Sequence, residues 1–236
     1  MNIGSRHESD LHRELKNKYT GYSGKTEIEI EGFVCDGLAD NDTLIEVQLN
    51  SFAPLLRKAE KLCVAHRLLI VHPVVQKKTI LTFDKDGNLL LRRASPRKGS
   101  DWDLFKALVY APLLPLYSNV SIELVRVEVV ETRIKDGRGS WRRKGVSLAG
   151  KRLVNCLGAF RLNVPADYLR FLPFNADEMW TSCLLAKKAG IRPSLAQKTL
   201  YVLFRLGLVE VAGKDGRARL WAFRNSTGKP APRSTD

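Results

Sequence analysis

The chain has 236 residues, of which 44% are hydrophobic, and its 39 Lys and Arg against 25 Asp and Glu leave a formal charge of +14. That balance suits one large or two small domains meeting a polyanion such as nucleic acid. It argues against a membrane protein, since no apolar run reaches the ~18–20 residues of a spanning helix; with a polar N-terminus lacking a signal peptide's hydrophobic core, a cytoplasmic location is expected.

The first expected element is a helix over Ser9 to Tyr19, on which His12 and Glu14, two positions apart, turn to different faces. Thr26 to Val34 follows as a strand carrying Ile28, Ile30, Phe33 and Val34. Thr43 to Leu49 alternates strictly, with Ile45, Val47 and Leu49 on one face and Leu44, Glu46 and Gln48 on the other. Between the two, Ala39-Asp40-Asn41-Asp42 has the composition of a tight turn. A turn centred near Asn41 sets Asp36 directly opposite Glu46, with Cβ atoms about 4.5–5.5 Å apart. Carboxylates that close repel, and a hard divalent cation such as Mg²⁺, which takes one or two carboxylates plus water and phosphate, relieves the repulsion. A helix comes next, with Pro54 at its first turn and an apolar stripe of Leu55, Leu56, Ala59, Leu62 and Cys63, which leaves Lys58 and Lys61 for other uses. Leu68 to Val71 then reads as a buried strand under that helix.

An acid ending one strand, an acid-apolar-polar triplet on the next, a following amphipathic helix and an upstream helical Glu together resemble the PD-(D/E)xK, or restriction-endonuclease-like, phosphodiesterases. The resemblance covers roughly Leu11 to Val75. It implies that Asp36 and Glu46 are ligands of Mg²⁺ or Mn²⁺ and that Glu14 is the helix-one acid completing the metal site. Gln48 stands in the position usually held by lysine, and Cys35 in that of the motif's proline. A neutral amide offsets no charge at the scissile phosphate. Some members of the superfamily take a lysine from the next helix instead, which makes Lys58 the fifth candidate catalytic residue beside Asp36, Glu46, Gln48 and Glu14, with Lys61 as its neighbour.

Further along, Thr79 to Phe83 and Asn88 to Arg92 form a hairpin about Asp86-Gly87, Trp102 to Tyr110 a helix stopped by Pro112, and Ser121 to Thr132 a long strand. Gly137 to Arg152 holds Arg138, Arg142, Arg143, Lys144, Lys151 and Arg152 with no acid and with Trp141 inserted. It is expected to be a glycine-loosened basic connector over 136–160 that contacts phosphates or, as the alternative, an acidic protein partner. Four cysteines without a C-x-x-C pair suggest neither a zinc knuckle nor a disulfide framework, and no Walker-type loop signals ATP hydrolysis.

At the C-terminus Asn175 caps an expected helix running to Lys188, and Arg192-Pro193-Ser194 opens a second, closed by Gly207. Leu208 to Val211 and Arg219 to Phe223 then pair around Asp215-Gly216. This order, from about Pro165 to Phe223, resembles a winged helix-turn-helix. The resemblance implies DNA contact by Arg192, Ser194, Gln197 and Lys198 on the second helix and by Lys214, Arg217 and Arg219 on the wing.

The expected fold is therefore α/β: a restriction-endonuclease-like mixed sheet flanked by helices over 1–135, the connector, a smaller winged-helix domain over 161–224, and a disordered tail over 225–236. The expected function is a metal-dependent nuclease hydrolysing DNA phosphodiesters, DNA ranking ahead of RNA, in defence or repair. A homodimer would suit double-strand cutting. The alternative is a catalytically inactive DNA-binding regulator or interaction scaffold that keeps the nuclease-like core.

Overall fold

A computed structural model describes residues 9–21, 24–138 and 145–224. The N-terminal part builds in the order α1 (Asp10–Thr20), β1 (Lys25–Ile30), β2 (Phe33–Leu38), β3 (Thr43–Val47), α2 (Leu55–Leu62), β4 (Arg67–Phe83) and β5 (Leu89–Ala94). It continues through α3 (Leu104–Leu108), β6 (Val120–Lys135) and β7 (Val146–Leu162). These strands form one mixed seven-stranded sheet in the order β1-β2-β3-β4-β6-β7, with β5 added to the far end of β4. β3, β4 and β6 run parallel, and the other neighbours antiparallel. The α/β class and the flanking helices are as expected.

Alternation along the strands sorts side chains to two faces. Ile45, Val47, Leu69, Val71, Val125, Val127 and Val129 meet Leu11 and Leu15 of α1 on one face. On the other, Leu44, Leu68, Ile70, Ile122 and Leu124 join a larger core that takes in α2 and α3. Gly37 allows the end of α1 to settle on β2, since a Cβ there would lie 2.1 Å from the Thr20 methyl.

Three expectations about the sheet need correcting. The first strand is two, because Glu31 and Gly32 both adopt positive φ (50° and 77°) and form the tight turn that a right-twisted hairpin favours. Leu68–Val71 and Thr79–Phe83 are the ends of one 17-residue strand, β4. The basic connector is in its second half β7, an edge strand paired along its length with β6. Backbone pairing over that length, interrupted by register shifts at Arg126/Val127, Glu128/Val129 and Thr132/Arg133, outweighs the glycines that suggested a loop. Arg142, Arg143, Lys144 and Trp141, like the tail over 225–236, lie outside the described residues.

The C-terminal part consists of α4 (Ser182–Ala189), α5 (Pro193–Arg205) and a hairpin of β8 (Val209–Asp215) with β9 (Ala218–Phe223). The two helices and the hairpin come in the expected order, but α4 starts later than expected. Thr181, not Asn175, caps it by accepting the Leu184 N–H at 3.2 Å. Leu195, Ala196, Leu200 and Leu203 of α5 belong to the same apolar core as Leu104, Phe105 and Leu108 of α3. Phe171 stacks edge-on against Phe105 with ring centroids 4.9 Å apart, so 161–224 packs onto the sheet's helical layer and shares its core. Among the described residues no helix is long and apolar enough to cross a membrane.

Candidate functional site

The ladder between β2 and β3 pairs Leu38 with Leu44 and Gly37 with Ile45, and there it ends. The same register brings Asp36 to Glu46, as the alternation in β3 predicts. Beyond this point the carboxylates replace the missing ladder. Asp36 Oδ2 accepts the Val47 N–H at 2.7 Å, and Glu46 accepts the backbone N–H of Asp36. The next amide, Gln48 N–H, already donates to Val71 of β4 at 2.9 Å.

Two side chains from helices complete the junction. Lys58 of α2 donates from Nζ to Glu46 Oε1 at 2.5 Å and to the Val34 carbonyl at 2.7 Å. The apolar stripe of α2, with Leu55, Ala59 and Leu62 buried, aims it there. His12 Nε2 of α1 lies 3.2 Å from Asp36 Oδ2. The expected helical partner of Asp36 is Glu14; in the structure His12 takes that place instead. Leu11 and Leu15 point down from α1 into the sheet, so His12 and Glu14 leave on opposite flanks. Glu14 faces β7, where its Oε2 accepts the Leu153 N–H at 2.5 Å. The two-residue spacing signals that only one of the pair reaches β2; the direction in which α1 crosses the sheet decides which.

Gln48 is likewise not turned to the acids. Its Nε2 donates to the Ser51 carbonyl at 2.6 Å, and its backbone carbonyl oxygen lies 2.6 Å from His72 Nδ1. Burial lowers the pKa of His72, against the pull of the Gln48 carbonyl and of Asp103, so its ring is neutral and donates from Nδ1. Gln48 thus secures the turn after β3.

The two carboxylates differ in charge balance. Burial pushes Glu46 up and the adjacent Asp36 adds to it, so its carboxyl stays above its ordinary range despite Lys58. Burial pushes Asp36 up too, but the hydrogen bonds from His12 and Val47 and the nearby positive charges outweigh it, and its carboxyl falls below the usual range. The neighbouring Cys35 thiol is pushed up to about 11 by burial first and the Glu46 charge second. Among the described residues no group of three or more His, Cys, Asp or Glu is placed to hold a metal. The junction offers two hard oxygen donors of the kind a Mg²⁺ or Mn²⁺ ion takes, each already bonded within the protein, Asp36 to His12 and Val47 and Glu46 to Lys58.

The expected nucleic-acid contacts are scattered over the surface. Lys151 and Arg152 are neighbours on β7, paired with Glu131 and Val130 of β6, and Arg138 follows the end of β6. Arg192, Ser194 and Gln197 are exposed at the start of α5 and Lys198 is half-buried there, while Lys214, Arg217 and Arg219 are exposed on the hairpin.

Residues 9–163 match a family model described as a domain of unknown function, DUF8091. The match ends one residue after β7, so the unit it outlines is the whole sheet, without the C-terminal helices and hairpin. An uncharacterized protein of Treponema pallidum (strain Nichols) is 27% identical over 222 residues, covering 94% of this chain and 87% of its own length. No solved structure matches the chain.

Proposed function

The chain belongs to the DUF8091 family of domains of unknown function, and we propose that it is a metal-dependent nuclease hydrolysing the phosphodiester bonds of DNA. The observation that carries this reading is the junction itself: two carboxylates from adjoining strands meet where their ladder ends, with a lysine from the next helix on one of them. The order α1, three-stranded meander, α2, parallel β4 also resembles the PD-(D/E)xK core, in the form whose lysine comes from the following helix.

Asp36 and Glu46 would hold the ion. Once bound, Mg²⁺ or Mn²⁺ supplies Lewis acidity toward the phosphodiester and a lowered pKa for attacking water. Lys58 sets an ammonium beside the reacting phosphate and stabilises charge that develops on its oxygens. His12 and the Val47 N–H fix the orientation of the Asp36 carboxylate, and Gln48 holds the turn behind the site. The exposed cations of α5 and the β8–β9 hairpin, in the order of a winged helix-turn-helix, supply DNA binding away from the cut. The cytoplasm is the compartment that fits.

The test is Mg²⁺- or Mn²⁺-dependent degradation of plasmid and single-stranded DNA by the full chain. Removing either carboxylate (Asp36→Ala, Glu46→Ala) should lower the rate by at least about 10²-fold, the scale of losing a group that stabilises the transition state, while DNA binding persists. Mn²⁺ at a hundred times its Kd should also stabilise the wild type by about 2.7 kcal/mol, and Asp36→Ala by much less. A second reading, the inactive DNA-binding regulator, is favoured by the backbone bonds that both carboxylates make at the strand junction. A wild-type protein that cuts no DNA or RNA and gains no stability from either ion belongs to that reading.

A further inference from the structure

β3 ends opposite Val71, and β5 joins β4 only from Thr79. Between them one edge of β4 has no strand beside it. Residues 95–99 close over the gap, with Ser95 N–H donating to the Lys78 carbonyl and Gly99 N–H to the Val75 carbonyl, both at 2.7 Å. Gly99 is required for that approach, because a Cβ would stand 2.8 Å from the Val75 carbonyl oxygen. The result is a cleft of ≈ 540 Å³ between the turn after β3, the 97–99 segment and α3.

Its lining is strongly cationic. Lys78, Arg97, Lys106 and Lys151 converge on it from four separate segments, against Asp103 alone among the lining carboxylates. Asp103 pairs with Lys106. Glu131, behind the cleft, accepts Lys78 at 2.9 Å and is shared with Arg133. Among the described residues Arg97 and Lys151 make no ion pair. Burial, with Lys78 close by and against the attraction of Glu131, holds the Lys151 ammonium below its usual range. Tyr110 stands on the same lining with 59% of its surface exposed.

We propose that this cleft binds an unpaired nucleotide of the nucleic-acid strand, its phosphate on Arg97, Lys106 and Lys151 and its base stacked on Tyr110. The volume falls in the range of pockets that enclose one small ligand and does not admit a duplex. An aromatic ring beside converging cations is the pairing that single strands use, stacking being indifferent to base identity. Leu49 and Ser51, which line the cleft, lie a few residues after Glu46. The cleft therefore opens within about 10 Å of chain from the acid junction, at the ~3.3 Å rise of a strand. The proposal rests on nucleic acid being the partner, and it deepens the nuclease reading by naming single-stranded or frayed substrate.

The experiment measures binding without cutting: the full chain carrying Asp36→Ala, in EDTA, titrated into a fluorescein-labelled oligothymidylate and a blunt duplex of equal length, followed by anisotropy. Added Tyr110→Ala should weaken single-strand binding by about 5- to 150-fold, the scale of one lost base stack. Added Arg97→Glu should weaken it too and lower the salt slope by about 0.7, one phosphate contact's share for a single strand. Lys18→Glu, the same charge change on the exposed side of α1, is the control and should stay within about twofold. Both cleft positions are exposed, and unchanged circular dichroism and melting confirm folding. Single-strand affinities unchanged by Tyr110→Ala and Arg97→Glu, or duplex binding reduced equally by both, overturn the proposal. Because no metal is present, a wild type that fails to cut counts against the nuclease reading and leaves this measurement standing.

Discussion

Glu46 of β3 and Glu131 of β6 are each 6% exposed and each accept a lysine, yet their pKa values move in opposite directions. Burial raises both. At Glu46 the neighbouring Asp36 adds to that rise and Lys58 does not cancel it. At Glu131 the hydrogen bonds and charges of Lys78 and Arg133 outweigh burial, and the carboxyl is held low. One region has more negative charge than its partners neutralise, and the other more positive charge than its carboxylate can absorb. The first suits an added cation and the second an added anion, and both sit on one sheet.

The largest effect expected from this difference is on stability. Glu131→Ala takes a buried carboxylate away from Lys78 and Arg133 and leaves Lys151 beside them without its attraction, and breaking a largely buried pair in this way costs about 3–5 kcal/mol. For a chain of this size that lowers Tm by roughly 6–20 °C, readable by scanning calorimetry. Glu46→Ala orphans Lys58 but also ends the repulsion with Asp36, so its cost should be nearer 1–2 kcal/mol. Equal losses would remove the contrast.

Exchanging the cations should reverse the ranking. Lys58→Met leaves two facing carboxylates with no lysine and should cost about 2–3 kcal/mol without divalent ions. Added Mn²⁺ should recover part of that loss, because it enters the same electrostatic deficit. Lys78→Met leaves Glu131 still bonded by Arg133 and should cost about 1 kcal/mol, with no response to Mn²⁺. Denaturant titrations with and without Mn²⁺ measure both.

What could be read from the residues was local. Strict alternation over Thr43 to Leu49 and the Asp-rich turn before it were enough to set Asp36 against Glu46, because register follows from turn position and a period of two. The stripe on α2 was enough to keep Lys58 and Lys61 off its buried face, but not to say which of them reaches Glu46. Where tertiary placement decides, the pattern was silent. Glu31 in a positive-φ turn is not a usual turn residue, so β1 and β2 looked continuous. His12 and Glu14 were separable by face, but which one meets β2 depends on how α1 lies across the sheet. The basic stretch looked like a linker because β7 is recognised by its pairing with β6, and long-range pairing leaves no local sign. The cleft is the extreme case: Lys151 of β7 lies far along the chain from Lys78, Arg97 and Lys106, and only the order of strands brings it to them.

The smallest effect, and the most direct test of the opposed shifts, is the pH dependence of unfolding. Stability rises with pH wherever the unfolded chain binds more protons than the folded one. Glu131 is held low when folded, so its contribution is complete above the ordinary glutamate range and is lost as pH falls through the folded value. Wild type minus Glu131→Gln should therefore rise with pH across that acid window. Glu46 is held high, so between the ordinary range and its raised value the folded state keeps a proton that the unfolded chain has released. Wild type minus Glu46→Gln should fall with pH over that interval. Urea titrations at a series of pH values give both slopes. Parallel slopes would mean that the two glutamates share one electrostatic setting. Mn²⁺ bound by the ionised carboxylates should reverse the Glu46 slope, since metal binding competes with the proton, and should leave the Glu131 slope as it was.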